Sequence, residues 1–386
     1  MFRIIVVFLV IFLVFAIVLF TSFDIGAEAA AKDLLVAEEL VTVVALYRHG
    51  DRAPKRALPT VKYSDPSYWP MGFRELTPNG IQGQYELGQW LRERYSTFLS
   101  PFYKVNELYV RSTDEDRALM SAYATLAGLY PPQGFQLWNE NIPWQPIPVH
   151  TIPRKIDDVI VQKRKCPKYD NLYKDTVNSD FFISENEKHA DFYKNLSQWT
   201  GLTVKDFKDI EKIKSTLDSI KSYNPSYLPE WEKDLDWDLL NYLHGFVYRR
   251  FTSTLTMKRL SSGPFFNYIF EHMDGTISPV KPSSVRKMLI ISGHGTTISL
   301  ILNTMGVFDG YPPDSGATIL WELRRRANGQ YFVNIYLKSG NNVKELSIRG
   351  CDFKCSYEDF KNAMGNITLD IDSWEKECHG LTDTFY

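Results

Sequence analysis

Two stretches of the chain are apolar and almost free of polar interruption: Val41 to Tyr47, reading V-T-V-V-A-L-Y, and Lys287 to Ser292, reading K-M-L-I-I-S. Runs of this kind predict strands buried on both faces of a parallel sheet. Glu107 to Val110 is a shorter strand candidate of the same type. Each run empties into a polar loop, and helical spacing follows each loop. Thr77 and Pro78 suit the cap and first position of a helix whose core stripe is Ile81, Tyr85, Gly88, Leu91 and Tyr95. Asp114 to Leu129 and Ile298 to Met305 are the corresponding helices after the second and third loops. Further on, Thr318 to Arg324 and Tyr331 to Lys338 predict an antiparallel hairpin, with Arg324, Arg325 and Arg326 at its solvated end.

Between these units the pattern changes. From about Lys155 to Met273 the apolar positions recur at helical intervals with charged faces between them, giving helices over 188–200, 204–221, 235–258 and 264–273. The expectation is an α/β fold: a mainly parallel sheet flanked by helices, with a large inserted helical domain. Residues 32–150 and 280–386 form the α/β domain, and 151–279 an inserted cap over the cleft at the strand ends. The aromatic, Pro-rich passage from Tyr63 to Phe73 is an ordered loop near that cleft, in which Trp69 and Phe73 serve either packing or a substrate wall.

The N-terminus is organised differently. Ile4 to Phe20 is an almost unbroken apolar run behind Arg3, followed by the small-residue stretch Ala27-Glu28-Ala29-Ala30-Ala31. This reads as a secretory signal peptide over 1–31, with an uncleaved, membrane-anchoring signal as the alternative. Either way the mature chain faces an oxidising compartment, secreted or within the lysosomal and endomembrane lumen. Four cysteines there predict disulfides, with three pairings open. Cys351 and Cys355 are close enough to close a small loop, which would leave Cys166 to tie the middle of the chain to Cys378. The Cys-x-x-x-Cys spacing lacks a second ligand pair, so no metal is expected. The sequons at Asn195 and Asn366 fit a secreted glycoprotein. A net charge of -2 and the absence of any long basic block exclude a nucleic-acid surface.

The chemistry sits where the first strand ends, in Arg48-His49-Gly50-Asp51-Arg52-Ala53-Pro54. Open α/β sheets bind ligands at such strand ends. An imidazole between two guanidinium groups, with a glycine permitting close backbone approach, can hold a phosphate beside a nitrogen nucleophile. The second unit delivers Arg111 before a helix N-terminus, again suited to an anion, and the third delivers His294. Asp114, Glu115 and Asp116 complement the dipole of their helix. His150 and His244 read as packed or exposed side chains.

These motifs resemble the histidine acid phosphatases of the prostatic and lysosomal type. The resemblance is carried by R-H-G-D-R-A-P, by L-T-x-x-G with Y-E-L-G-x-x-L-R-x-R-Y, by Y-V-R-S-T-D-E-D-R-A-L-M-S-A, by W-Q-P-I-P-V-H-T and by S-G-H-G-T-T-I, in order along the mature chain. It implies a two-part fold, a homodimer, and hydrolysis of small-molecule or protein phosphate monoesters without a cofactor. His49 would form a phosphohistidine, and Arg48, Arg52, Arg111 and His294 would clamp the phosphate. It also implies the pairs Cys166–Cys378 and Cys351–Cys355, a third family pair having no counterpart.

One position departs. The family has Asp after the histidine of the third loop, the acid that protonates the leaving group; here that residue is Gly295. Alkyl esters should suffer from its loss more than aryl esters. Three readings follow: a weak phosphatase with water or Asp51 donating the proton, a secreted phosphate-monoester binding protein with little turnover, or another branch such as the phytases or sugar phosphatases. The last is disfavoured by the motifs of the insert.

Overall fold

The computed structural model describes residues 38–161, 164–278 and 286–380. The segment read as a signal peptide lies outside the described residues. Among those residues no helix is long and apolar enough to cross a membrane.

The strands are β1 (Glu39–Arg48), β2 (Leu108–Thr113), β3 (His150–Ile152), β4 (Met288–Gly293), β5 (Thr318–Arg325), β6 (Tyr331–Ser339), β7 (Asn342–Leu346) and β8 (Cys355–Ser356). They form one mixed sheet in the order β3-β2-β4-β1-β5-β6-β7, with β8 beside β6. The half from β3 to β1 is parallel. The expected hairpin, β5 and β6, continues it antiparallel from β1. Register sets where the loops emerge: Arg48 lies beside Gly293, and Ser112 beside Ser292. Three strand ends therefore open on one edge of the sheet.

Helices α1 (Pro78–Arg94) and α2 (Asp116–Leu129) cover one face, where Leu87, Leu91 and Leu126 pack on Val43, Ala45 and Ile290. The cap at Thr77 forms as its sequence suggests, its hydroxyl accepting from the Gly80 amide at 3.1 Å. The inserted stretch contributes α3 (Pro167–Val177), α4 (Asp180–Lys188), α5 (Ala190–Thr200), α6 (Phe207–Tyr223), α7 (Trp237–Arg249) and α8 (Leu255–Ile277). Of these α5, α6 and α7 build a core of their own around Leu196, Ile213, Leu217 and Leu243. The loop after β1 joins that core through Ala53, Leu58 and Trp69. Trp69 is thus packing, with its indole N–H donating to the Tyr63 carbonyl at 3.0 Å, and not a cleft wall.

Helix α8 behaves differently. Its Phe265, Phe266, Ile269 and Met273 share a core with Val44, Leu46 and Trp321 on the second face of the sheet. It runs unbroken through Pro264, where the sequence suggested a boundary. α9 (Gly295–Met305) and α10 (Tyr357–Met364) complete that face, and α11 (Ile371–His379) closes the chain. Both disulfides form, Cys166 with Cys378 and Cys351 with Cys355. Arg324 turns out to be more than a solvated hairpin end: with Arg94 it flanks the buried Glu322 carboxylate, each at 2.8 Å.

Burial also makes the fold acid-sensitive. His272 on α8 lies 2.8 Å from the Thr42 hydroxyl of β1. Burial first, then the Arg286 charge, lowers its pKa to about 4 from an ordinary 6.5. Between those two values the unfolded chain binds a proton that the native chain refuses. Stability therefore falls as the pH drops from 6.5 toward 4, by roughly 1.4 kcal/mol per pH unit for this residue. His272→Gln is expected to flatten the fall of the urea midpoint across that window by one proton's worth. An unchanged slope would show that His272 titrates alike in both states.

Candidate active site

The three loops converge on one cleft of about 1240 Å³, bounded on its far side by α6 and α7. Backbone bonds hold the first loop rigidly. The His49 amide donates to Gly293 O at 3.0 Å, the Arg48 amide to Ala317 O at 2.9 Å, and the Gly50 amide to Ser121 Oγ at 3.1 Å. Gly50 also sits against the first turn of α1, where a Cβ would meet Gly80 O at 2.3 Å. No side chain fits there without moving the loop.

His49 is 5% exposed and lines the cleft. Its Nδ1 lies 2.8 Å from the Gly50 carbonyl, which can only accept, so Nδ1 carries the proton. Nε2 is left as the lone-pair nitrogen, with Arg117 Nε donating to it at 3.3 Å. Burial, followed by the charges of His294, Arg48, Arg117 and Arg52, holds the His49 pKa well below its usual value. The imidazole stays neutral in mild acid.

Around it stand the cations. Arg52, 6% exposed, donates to Ala53 O at 2.8 Å and to Ser219 Oγ of α6 at 3.4 Å. Burial and its neighbours Arg48 and Arg117 lower the Arg52 pKa to about 10, so it remains charged. Arg48 donates to the Pro313 carbonyl. His294, the cap residue of α9, has its ring centroid 5.4 Å from that of His49 and its Nε2 3.0 Å from Thr113 Oγ1. Burial and then Arg117 depress its pKa as well.

Four of the five residues named from the sequence, Arg48, His49, Arg52 and His294, line the cleft together. Arg111 does not. Strand alternation decides this: Leu108 and Val110 point to the α1–α2 face, whereas Arg111 points with Tyr109 to the α8 face. There its guanidinium lies over the Tyr268 ring at 5.1 Å and pairs with the buried Asp157 at 3.0 Å. The cation that the second unit delivers is Arg117, in the first turn of α2, oriented by Glu115 at 2.9 Å. Its signal in the sequence was its place one loop beyond the strand, as His49 stands one residue beyond β1.

Asp51 lines the cleft and accepts from the Ser222 and Ser315 hydroxyls, the latter at 2.7 Å. His150 stacks on Tyr109 away from the cleft, at 4.7 Å between centroids. His244, read as a bystander, lines the cleft from α7. At Gly295 an added Cβ would stand 3.4 Å from Arg48 Cδ, an ordinary contact.

A neutral, lone-pair-bearing histidine ringed by guanidinium groups at the parallel edge of an α/β sheet defines a site for nucleophilic attack on a bound oxyanion. Comparison with known proteins agrees with this class. Residues 39–338 match the family model described as histidine phosphatase superfamily (branch 2). The chain is 34% identical over 359 residues to lysosomal acid phosphatase of Xenopus laevis, covering 90% of this chain and 81% of that protein. It is 34% identical over 363 residues to prostatic acid phosphatase of Homo sapiens, covering 89% of each. Among solved structures, the phytase from Citrobacter braakii superposes with a TM-score of 0.65 at 16% identity, over 86% of this chain and 98% of that one. The Hafnia alvei phytase in complex with tartrate gives 0.67 at 16% identity, over 86% and 98%. The chain belongs to the histidine phosphatase superfamily, branch 2.

Proposed function

We propose that this protein is an acid phosphatase that hydrolyses phosphate monoesters through a phosphohistidine on His49. The observation that carries the reading is the tautomer: Nδ1 is tied to Gly50 O, and Nε2 keeps its lone pair, with Arg117 Nε donating to it, in a cleft also lined by Arg48, Arg52 and His294. In the first step Nε2 attacks phosphorus, the ester P–O bond breaks, and the leaving oxygen takes a proton from water or Asp51 to depart as the alcohol, a proton that the attacking water of the second step gives back. In the second, water attacks phosphorus, the N–P bond breaks, and orthophosphate is released with Nε2 regenerated. Arg48, Arg52, Arg117 and His294 neutralise the charge on the transferring oxygens, which is most of what such a reaction needs.

Arg117 replaces Arg111 in this scheme, and the two are separable by experiment. Arg117→Gln removes a charged donor and should weaken inorganic phosphate binding about 10- to 100-fold. Arg111→Ala orphans the buried Asp157 and should instead cost about 3–5 kcal/mol of stability, with phosphate affinity of the folded protein unchanged. Calorimetric titration with phosphate, beside urea unfolding, reads both. The reverse pattern would put Arg111 back in the clamp.

Gly295 favours a second reading, a protein that binds phosphate monoesters and turns alkyl esters over slowly, because the third loop, His294-Gly295-Thr296-Thr297, brings no carboxyl to the cleft. Other features are in keeping with a lysosomal or secreted acid phosphatase. Asn195 and Asn366 are exposed, as glycosylation requires. The 1–31 segment is read as the signal that directs secretion, with a retained anchor as the alternative. Helices α5, α6 and α7 of the 151–279 insert act as the cap, whereas α8 of the same stretch packs with the α/β domain of 32–150 and 280–386. A homodimer is supported by the exposed Phe135, Trp138 and Trp144 in the stretch of chain that leads into the short edge strand β3.

A further inference from the structure

The wall that α6 and α7 bring to the cleft includes buried polar atoms that have no partner within the protein. His244 is 4% exposed, lines the cleft from α7, and neither ring nitrogen has a hydrogen-bond partner within the protein. Ser215 Oγ, on the facing side of α6, is buried, lines the same cleft and is likewise unpaired. Tyr248, one turn beyond His244, presents its ring 5.3 Å from the imidazole and lines the cleft too. Burying such groups unpaired costs free energy, and a ligand that bonds to them recovers it.

The charge of the wall says which ligand. Lys55 is paired with Glu211 at 2.9 Å, and Lys214 with Asp218. These two lysines are thus spent on carboxylates, which leaves them little to offer a second phosphate or an acidic peptide. Tyr173 and Phe251 also line the cleft, as a stacked aromatic pair 5.7 Å between centroids. Neutral hydrogen-bonding groups together with an aromatic pair suit a ring or chain bearing several hydroxyls. Arg52, bonded to both the first loop and Ser219 of α6, joins this wall to the phosphate clamp.

We infer that His244 and Ser215 form a leaving-group subsite that recognises hydroxyl-rich esters, a sugar or polyol monophosphate, in preference to an aryl phosphate. The inference rests on the phosphatase reading for its enzymatic arm only. His244 is kept neutral by burial and by Lys214 and Arg48, so one ring nitrogen donates and the other accepts, matching a hydroxyl on each side. It concerns binding, and is independent of which group protonates the leaving oxygen.

The test compares glucose 6-phosphate with 4-nitrophenyl phosphate as probes on the full protein, His244→Leu and Ser215→Ala. Each substitution removes one or two neutral hydrogen bonds, so kcat/KM for the sugar phosphate should fall about tenfold for His244→Leu and about threefold for Ser215→Ala, the aryl rate staying within about twofold. A parallel fall on both substrates, or no fall on either, overturns the subsite. A binding arm decides the matter even without turnover. In a His49→Ala background glucose 6-phosphate should bind about tenfold more tightly than inorganic phosphate, and His244→Leu should erase that advantage. Equal affinity for the two ligands overturns the inference, whereas absence of phosphoenzyme in the unmodified protein counts against the phosphatase reading alone.

Discussion

Replacing His49 by Ala is expected to abolish covalent phosphoenzyme and to lower turnover of any phosphate monoester by at least about 10,000-fold, the scale of losing a nucleophile from a site whose parts act together. The size of the effect follows from the absence of a substitute. His294 is the other imidazole at the phosphate position, but its Nε2 is engaged with Thr113 Oγ1. His244 lies on the opposite wall. Phosphate binding should survive, because Arg48, Arg52 and Arg117 remain and the imidazole that is lost carries no charge. Acid quenching after brief exposure to labelled substrate reads the intermediate directly. Undiminished phosphoenzyme in the variant would exclude His49 as the nucleophile and leave the tautomer argument without a consequence. His294→Ala provides the contrast, a slower enzyme that still forms the intermediate.

The neutrality that makes His49 a nucleophile in acid also weighs on the fold. His49, His244, His272 and His294 are all held below their ordinary pKa by burial. Each sharpens the loss of stability as pH falls below about 6.5, since the unfolded chain protonates there and the native one does not. The Cys166–Cys378 bond opposes this from the unfolded side. Closing a loop of 212 residues contributes on the order of 5 kcal/mol in the chain-entropy view.

What could be read in the sequence was what local pattern determines. β1 and β4 are buried on both faces, and strands so placed have nearly uninterrupted apolar sequences. The loop chemistry at Arg48, His49, Arg52 and His294 was visible because it begins where those runs stop. Arg111 misled because the strand continues through Thr113, so the residue that seemed to end it is inside it, and parity turns it onto α8. Trp69 could not be assigned in advance, since the core it joins is assembled from helices more than a hundred residues later. α8 was given to the insert because helical periodicity does not say which layer a helix packs on. His244 was invisible for the same reason: a lone histidine on a helix becomes informative only when the fold places it in the cleft lining with both ring nitrogens buried and unpaired.

Gly295→Asp is expected to raise kcat on an alkyl phosphate by about 100-fold or more while leaving an aryl phosphate nearly unaffected. A side chain fits at this position: it is the first residue of α9, it lines the cleft, and its Cβ would make only ordinary contacts with Arg48. The new carboxyl would stand beside Arg48 and the positive end of α9, both of which favour its ionised form. Its benefit should therefore be largest toward pH 4 and fade above it, so the pH dependence of the gain is itself part of the prediction. The aryl ester is insensitive because a phenoxide, with a conjugate acid near pKa 10, leaves without help. In the unmodified chain Asp51 of the cleft lining is the alternative donor, yet it already accepts from two hydroxyls, those of Ser222 and Ser315, and belongs to the first loop rather than the third. Should the unmodified protein hydrolyse the alkyl ester rapidly and the added Asp change nothing, another group is supplying the proton. Asp51→Asn then tells whether it is that carboxyl, and the slow-turnover reading of Gly295 falls.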